Sequence, residues 1–238
     1  MSRVKRIFHS ILARRIFETP LRFLVKNTEP RAFFSRLVPM PRFYPSPSWR
    51  KVVRENLTFE LDISDLVDWY LYFQFYDRGY NFLFKHVSDT DTILDVGANI
   101  GYVSMRFAQQ AKKGRVLSIE PSNHNFNKLK RNVGLNKLSN LKLFKVGMGS
   151  KQGELFLGSE VSNNSGMRKI RSLDSSTTQD ELIEIWTIDQ FVESNQLEKV
   201  DLIKIDVEGF EMEVLNGALN TIERFSPRLF VEVNDQFR

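Results

Sequence analysis

Apolar and polar positions switch between two periods along this chain. Over residues 4–17, Val4, Ile7, Phe8, Ile11, Leu12 and Ile16 recur at helical spacing, with Arg3, Lys5, Arg6 and Arg14 elsewhere on the wheel. PMPRFYPSPSW at 39–49 carries four prolines and reads as an extended linker. The organisation predicted is therefore an N-terminal extension with its linker over 1–49 and a domain over 50–238. LTFELDI at 57–63 alternates as a half-buried strand does, and Ser64 or Asp65 is placed to cap a helix after it. The aromatic run from Trp69 to Phe84, broken at Asp77-Arg78-Gly79, reads as core packing, with the lining of a hydrophobic pocket as the other reading.

From Thr92 onward, apolar runs alternate with helical patterns. TILDV is followed by a helix over 102–113 that Gly114 would end, and RVLSI by a helix capped at Ser122 with Phe126, Leu129 and Val133 inside. A third strand is expected over Leu141 to Val146, with a turn at Gly147–Gly149, and a short extra strand over 153–158. The polar stretch 159–181 reads as a long loop, either a cover for an acceptor or a simple excursion. Glu184 to Ile188 returns as a strand before a short helix from Asp189. VDLIKI at 200–205 precedes a helix expected to bury Met212, Leu215, Leu219 and Ile222, and RLFVEV at 228–233 is a fifth core strand. This alternation predicts an α/β fold, a doubly wound and mostly parallel sheet.

Charge changes the reading of the N-terminus. Residues 1–42 hold ten Lys/Arg and two Asp/Glu, +8, while the rest of the 238-residue chain holds 24 and 27, −3. The basic character belongs to the extension, so the net +5 does not argue for a nucleic-acid partner. The extension reads either as an interfacial helix drawn to anionic lipid, a peripheral membrane contact through residues 1–42, or as a helix packed on the domain or a partner. No apolar run reaches the length needed to span a bilayer. The chain has no cysteine, which removes disulfides, thiolate metal sites and a cysteine nucleophile and fits a cytoplasmic location. His9, His86 and His124 show no metal-ligand spacing, so no metal is expected.

Chemistry concentrates at strand ends. In DVGANIG at 95–101, Asp95 stands at a strand's carboxyl end, and Gly97 can take a backbone conformation closed to other residues. A helix then opens at Gly101 with unpaired N–H groups. Glu120 follows 25 positions after Asp95 and ends the second strand, where an acid accepts hydrogen bonds from ribose hydroxyls. Asp206, Glu208 and Glu211 crowd the end of VDLIKI beside Gly209. Strand alternation points Lys204 to the face of Asp206, which it would hold ionised.

The motifs ILDVGANIG (93–101), IEPS (119–122), the spaced asparagines of KRNVGLNKL (130–138), TIDQF (187–191), LIKIDVEGFEMEVLNGA (202–218) and LFVEV (229–233) together resemble the FkbM-type S-adenosylmethionine-dependent methyltransferases. The resemblance implies a Rossmann-like methyltransferase fold with S-adenosylmethionine as cofactor. It implies O-methylation of a hydroxyl on a small-molecule, sugar, glycan or secondary-metabolite acceptor. Asp95, Gly97, Asn99, Gly101, Glu120 and Pro121 would form the cofactor site, with Glu120 on the ribose. Asp206 and Glu208 are the candidate catalytic carboxylates; the other reading of these two is that they only organise the turn. The chain stops about five residues after the fifth core strand, so the last strands of that fold are expected to be missing. The alternative function is a non-catalytic remnant of the fold that acts as an interaction module.

Overall fold

The computed structural model describes residues 3–75, 77–159, 168–171 and 180–233. Contacts divide the chain into two compact units, which meet in sequence between Asn81 and Phe82.

The first unit opens with α1 (Arg3–Leu12) and α2 (Arg15–Val25), where one continuous period over 4–17 was expected. α2 buries Glu18, Leu21 and Val25. The Pro-rich stretch is not extended throughout. Residues Pro41–Phe43 form a 3-10 turn, Tyr44 is buried, and the Pro39 carbonyl accepts from Trp69 Nε1 at 2.8 Å. A hairpin pairs β1 (Trp49–Arg54) with β2 (Leu57–Asp62). Its turn residues Glu55 and Asn56 both take positive φ, the conformation a two-residue hairpin turn needs. β2 buries every second residue, as its alternation requires. Asp65 then caps α3 (Leu66–Phe73), accepting from Val67 N and Asp68 N. Of the aromatics of this helix Trp69, Tyr72 and Phe73 are buried, as is Phe75 after it, while Tyr70 is exposed. A carboxylate, Glu18, lies among them, held by Arg50 Nη2 at 2.6 Å, Arg50 Nε at 2.8 Å and the Tyr72 hydroxyl at 2.8 Å. A further helix, α4 (Arg78–Phe84), follows α3.

The second unit is built on a five-stranded parallel sheet. In chain order its strands are β3 (Thr92–Val96), β4 (Arg115–Ile119), β5 (Leu141–Phe144), β10 (Leu202–Ile205) and β11 (Arg228–Val231). In space they run β11-β10-β3-β4-β5, all parallel. Strand order therefore reverses between β3 and β10, and in open α/β sheets that switch point is where ligands bind, outside the carboxyl ends. The helices between are α5 (Tyr102–Gln110), α6 (Asn123–Gly134), α7 (Ile188–Ser194), α8 (Glu211–Asn216) and α9 (Leu219–Phe225). Leu94, Ile119, Ile203, Ile205 and Val214 are among the buried side chains of its core.

Several local expectations are corrected. α5 stops at Gln110, short of Gly114, whose added Cβ would lie 1.9 Å from the Asp91 carbonyl. That glycine permits a close backbone approach and does not end the helix. Gly147 and Met148 are not a free turn: as β6 they pair in parallel with β9 (Glu181–Trp186). β7 (Gly153–Ser159) joins β9, and β8 (Arg168–Arg171) pairs with β7, so the expected long loop contains a strand. Residues 160–167 and 172–179 of that stretch lie outside the described residues. α7 begins one residue after Thr187, which forms a capping box with Gln190. The single helix expected after β10 is two. Gly217 passes so close to Gly149 that a Cβ would meet its carbonyl at 2.0 Å. Val214 and Ala218 are inside, while Met212 and Leu219, expected to be buried, are exposed.

Candidate active site at the switch point

Sheet register brings the two motifs to one level. Val96 pairs with Ile205 on one side and Ile119 on the other. The next residue of each chain segment is Asp206, Gly97 and Glu120, so these three stand together where adjacent strands end. Asp206 and Glu120 flank the central strand, about 10 Å apart by two strand spacings.

Two residues deeper, register aligns Lys204, Asp95 and Ser118 across the same three strands. This is a polar row inside the sheet. Lys204 is 2% exposed and Asp95 0%. Lys204 Nζ donates to the Gly97 carbonyl at 2.8 Å and lies 3.2 Å from Asp95 Oδ1 and 3.4 Å from Asp206 Oδ2. Asp95 Oδ1 makes no well-aligned hydrogen bond, so its link to Lys204 is an ion pair. Asp95 Oδ2 accepts from Ser104 Oγ of α5, and Ser118 Oγ donates to Ser104 Oγ. Burial by itself would lower the Lys204 pKa. The charges of Asp95 and Asp206 outweigh it and hold the ammonium above its ordinary value.

The turn above this row is held at several points. The N–H groups of Gly97 and Ala98 both donate to the Ile119 carbonyl at 3.0 Å. Gly97 has φ +78°, and a Cβ there would lie 1.8 Å from the Asp206 carbonyl oxygen. Its freedom thus serves the contact between the two motif turns. Asn99 takes φ 51° and donates its N–H to Glu120 Oε2 at 2.8 Å. The other Glu120 oxygen accepts from Ser122 N at 3.0 Å, across Pro121. Ser122 caps α6, as expected. Gly101, at φ +92°, is the N-cap of α5. Asn132 Nδ2 donates to the Ile100 carbonyl at 3.0 Å and Asn136 Nδ2 to the Asn132 carbonyl at 2.8 Å. The spaced asparagines therefore brace the glycine turn from α6.

The second turn is arranged differently. Asp206 N donates to the Val96 carbonyl at 3.1 Å, and its side chain is 22% exposed. Glu208 and Gly209 follow with φ 52° and 93°. A non-glycine residue in this region is strained, and such strain collects at functional turns. Glu211 does not join the cluster as a reactive acid: its Oε1 accepts from Gly209 N at 2.8 Å and closes the turn. Asp189 of TIDQF is likewise structural, accepting from Thr221 N at 2.7 Å and Thr221 Oγ1 at 2.6 Å.

All eight candidate residues lie in the second unit at or beside this strand-end level, but not in equal roles. Asp95 lies beneath the turn and reaches it only through Lys204. Gly97, Asn99, Gly101 and Pro121 shape the turn and the approach to α6. Glu120, Asp206 and Glu208 supply carboxylates. Ser104 and Ser118 escaped sequence reading. The signal for Ser118 was the shared pattern of the strand ends, LDVG, LSIE and IKID, with one polar residue before the last apolar one; Ser104 lies in α5, outside that pattern.

The residues present suit an aminoacyl nucleoside. Asn99 Oδ1 is buried with no hydrogen-bond partner among the described residues. Glu120 accepts backbone donors on both oxygens, and a carboxylate oxygen accepts more than one donor. Such acceptors match a ligand that carries ammonium and hydroxyl donors.

Strand ends at a switch point, with glycine turns beside them, are where doubly wound α/β folds hold nucleotides. The FkbM methyltransferase domain matches residues 95–237, and the chain belongs to that family. Hexuronic acid methyltransferase AglP of Haloferax volcanii is 30% identical over 142 residues, 59% of this chain and 55% of that protein. The 2-O-methyltransferase NoeI of Sinorhizobium fredii is 27% identical over 159 residues, 60% of this chain and 63% of that protein. Methyltransferase 1 of Beauveria bassiana is 27% identical over 146 residues, 54% of this chain and 59% of that protein. The matches thus span between 55 and 63% of these relatives' lengths. Among solved structures, a SAM-dependent methyltransferase of Agrobacterium tumefaciens shares a TM-score of 0.45 at 11% identity, over 82% of this chain and 57% of that one.

Proposed function

We propose that this protein transfers a methyl group from S-adenosylmethionine to a hydroxyl of a sugar or related small-molecule acceptor. The observation that carries the reading is the meeting of Glu120, Gly97 and Asp206 on three adjacent strand ends in a chain of this family. The name of AglP favours a sugar acid as the acceptor, and that of NoeI favours transfer to oxygen.

Glu120 would accept from the ribose hydroxyls, with Asn99 Oδ1 taking the amino-acid ammonium. When bound, the cofactor supplies an electrophilic methyl and a neutral thioether leaving group. The chain's own task is alignment and one proton. Asp206, whose Oδ2 lies 3.4 Å from Lys204 Nζ, would accept a hydrogen bond from the acceptor hydroxyl and aim its oxygen. The proton would go to one of the two carboxylates of this turn, Asp206 or Glu208.

The test is transfer of labelled methyl to a panel of hexuronic acids and other sugars, by the wild-type chain and Asp206→Asn. Turnover that Asp206→Asn lowers by about a hundredfold supports the reading. Equal turnover would remove Asp206 from the site, and donor binding without turnover on any hydroxyl would favour the non-catalytic alternative. We also propose that residues 1–42 make peripheral contact with a membrane; among the described residues no helix is long and apolar enough to cross one.

A further inference from the structure

α1 carries its apolar side chains on the wrong side for a helix that only packs inward. Val4, Ile7, Phe8 and Ile11 recur at i, i+3, i+4 and i+7, one face of a helix, and they are 76, 55, 45 and 44% exposed. The helix is anchored by another face: His9 stacks on Phe43 at 5.4 Å between ring centroids, and Leu12 is half-buried. α2 repeats the arrangement in part. Leu21 and Val25 are buried, while Phe23 is 87% exposed.

Charge says what would cover this face. Lys5 and Arg6 on α1, and Arg14 and Arg15 after it, are all exposed. Residues 1–42 hold ten Lys/Arg against two acids, Glu18 and Glu29. Both acids are already engaged. Glu18 is buried on Arg50 and Tyr72, and Glu29 pairs with Arg78 at 2.6 Å. The surface around the stripe is therefore cationic. An exposed apolar stripe flanked by long cationic side chains is what an interfacial helix presents to anionic lipid, its stems lying along the acyl boundary and its heads at the phosphates.

We infer that the Val4, Ile7, Phe8 and Ile11 face of α1 inserts into the headgroup boundary of an anionic membrane. This rests on the peripheral-contact reading and names the face and the lipid chemistry. It does not depend on methyl transfer.

The experiment is co-sedimentation of the full chain with vesicles of phosphatidylcholine mixed with phosphatidylserine, and of phosphatidylcholine alone, at low and high salt. The variants are Ile7→Asp with Ile11→Asp, and Ile7→Leu with Ile11→Leu. The wild type should bind the mixed vesicles and bind them less at high salt. The aspartate pair should weaken that binding by about tenfold or more, and the leucine pair should retain it. Because both positions are exposed, thermal unfolding should be unchanged in either variant. Equal binding by the aspartate pair would overturn the assignment to this face while leaving membrane contact standing. Equal binding to neutral vesicles would overturn the anionic partner. No binding by the wild type would overturn both readings. A wild-type dimer that the aspartate pair dissociates would overturn it in favour of a second copy.

Discussion

The two motif turns begin with the same dipeptide and use it differently. Asp95-Val96 leads into Gly97, and Asp206-Val207 leads into Glu208 and Gly209. Asp95 falls inside the strand ladder, paired in register with Lys204 and Ser118, and has no exposure. Asp206 falls two rows further out, beyond the end of β10, and is 22% exposed. Two rows of register separate a buried counter-ion from a carboxylate at the strand end. Lys204 touches both, so it couples the inner row to the outer one.

The comparison breaks most sharply at that lysine. Lys204→Met leaves Asp95 buried without its cation, and urea unfolding should show a loss of about 3–5 kcal/mol. Asp95→Asn should cost less, about 3 kcal/mol, because Asp206 still faces the ammonium. Gly97→Ala should cost about 2 kcal/mol or more, through strain at positive φ and collision with the Asp206 carbonyl. Asp206→Asn should change stability by under about 1 kcal/mol, with its effect in kcat instead. A stability loss at Asp206 as large as at Asp95 would erase the distinction between the rows.

The smallest expected effect is in pH. The Lys204 pKa is raised above its ordinary value of 10.5. Above that pH the unfolded chain gives up a proton that the folded chain keeps. The contribution is thus complete below pH 10.5 and lost as pH rises toward the folded value. Unfolding free energy, read from exchange at β3 and β10 corrected for its intrinsic base catalysis, should fall only in that alkaline window. In the first unit, Tyr72 shifts in the same direction: burial and its hydrogen bond to Glu18 push its hydroxyl to about 12. Its share should be lost between pH 10 and about 12, read by exchange in α3.

Much of this was legible before any coordinates. The five parallel strands, Ser122 as a cap, the αL glycine opening α5 and the placement of Lys204 beside Asp206 follow from period and motif. The misses share a cause. Gly114 looks like a helix end but is a glycine where two backbones nearly touch, and Gly217, which does end α8, makes a second such contact with Gly149; both contacts depend on residues distant in sequence. β1 and its Glu55-Asn56 turn lack the glycine that marks a hairpin. The Thr187 and Gln190 capping box was readable and displaced the expected helix start at Asp189. The burial of Asp95 needed the register, since sequence alone could not say which strand-end acid lay inside the ladder.

The central claim is that a donor site is built where β10, β3 and β4 end. Calorimetric titration of the full chain with S-adenosylhomocysteine, beside Glu120→Ala, tests it most directly. The account predicts binding that Glu120→Ala weakens tenfold or more, about 1.4 kcal/mol. A cooperatively folded wild type that does not bind, or binds as tightly without the Glu120 carboxylate, would contradict it.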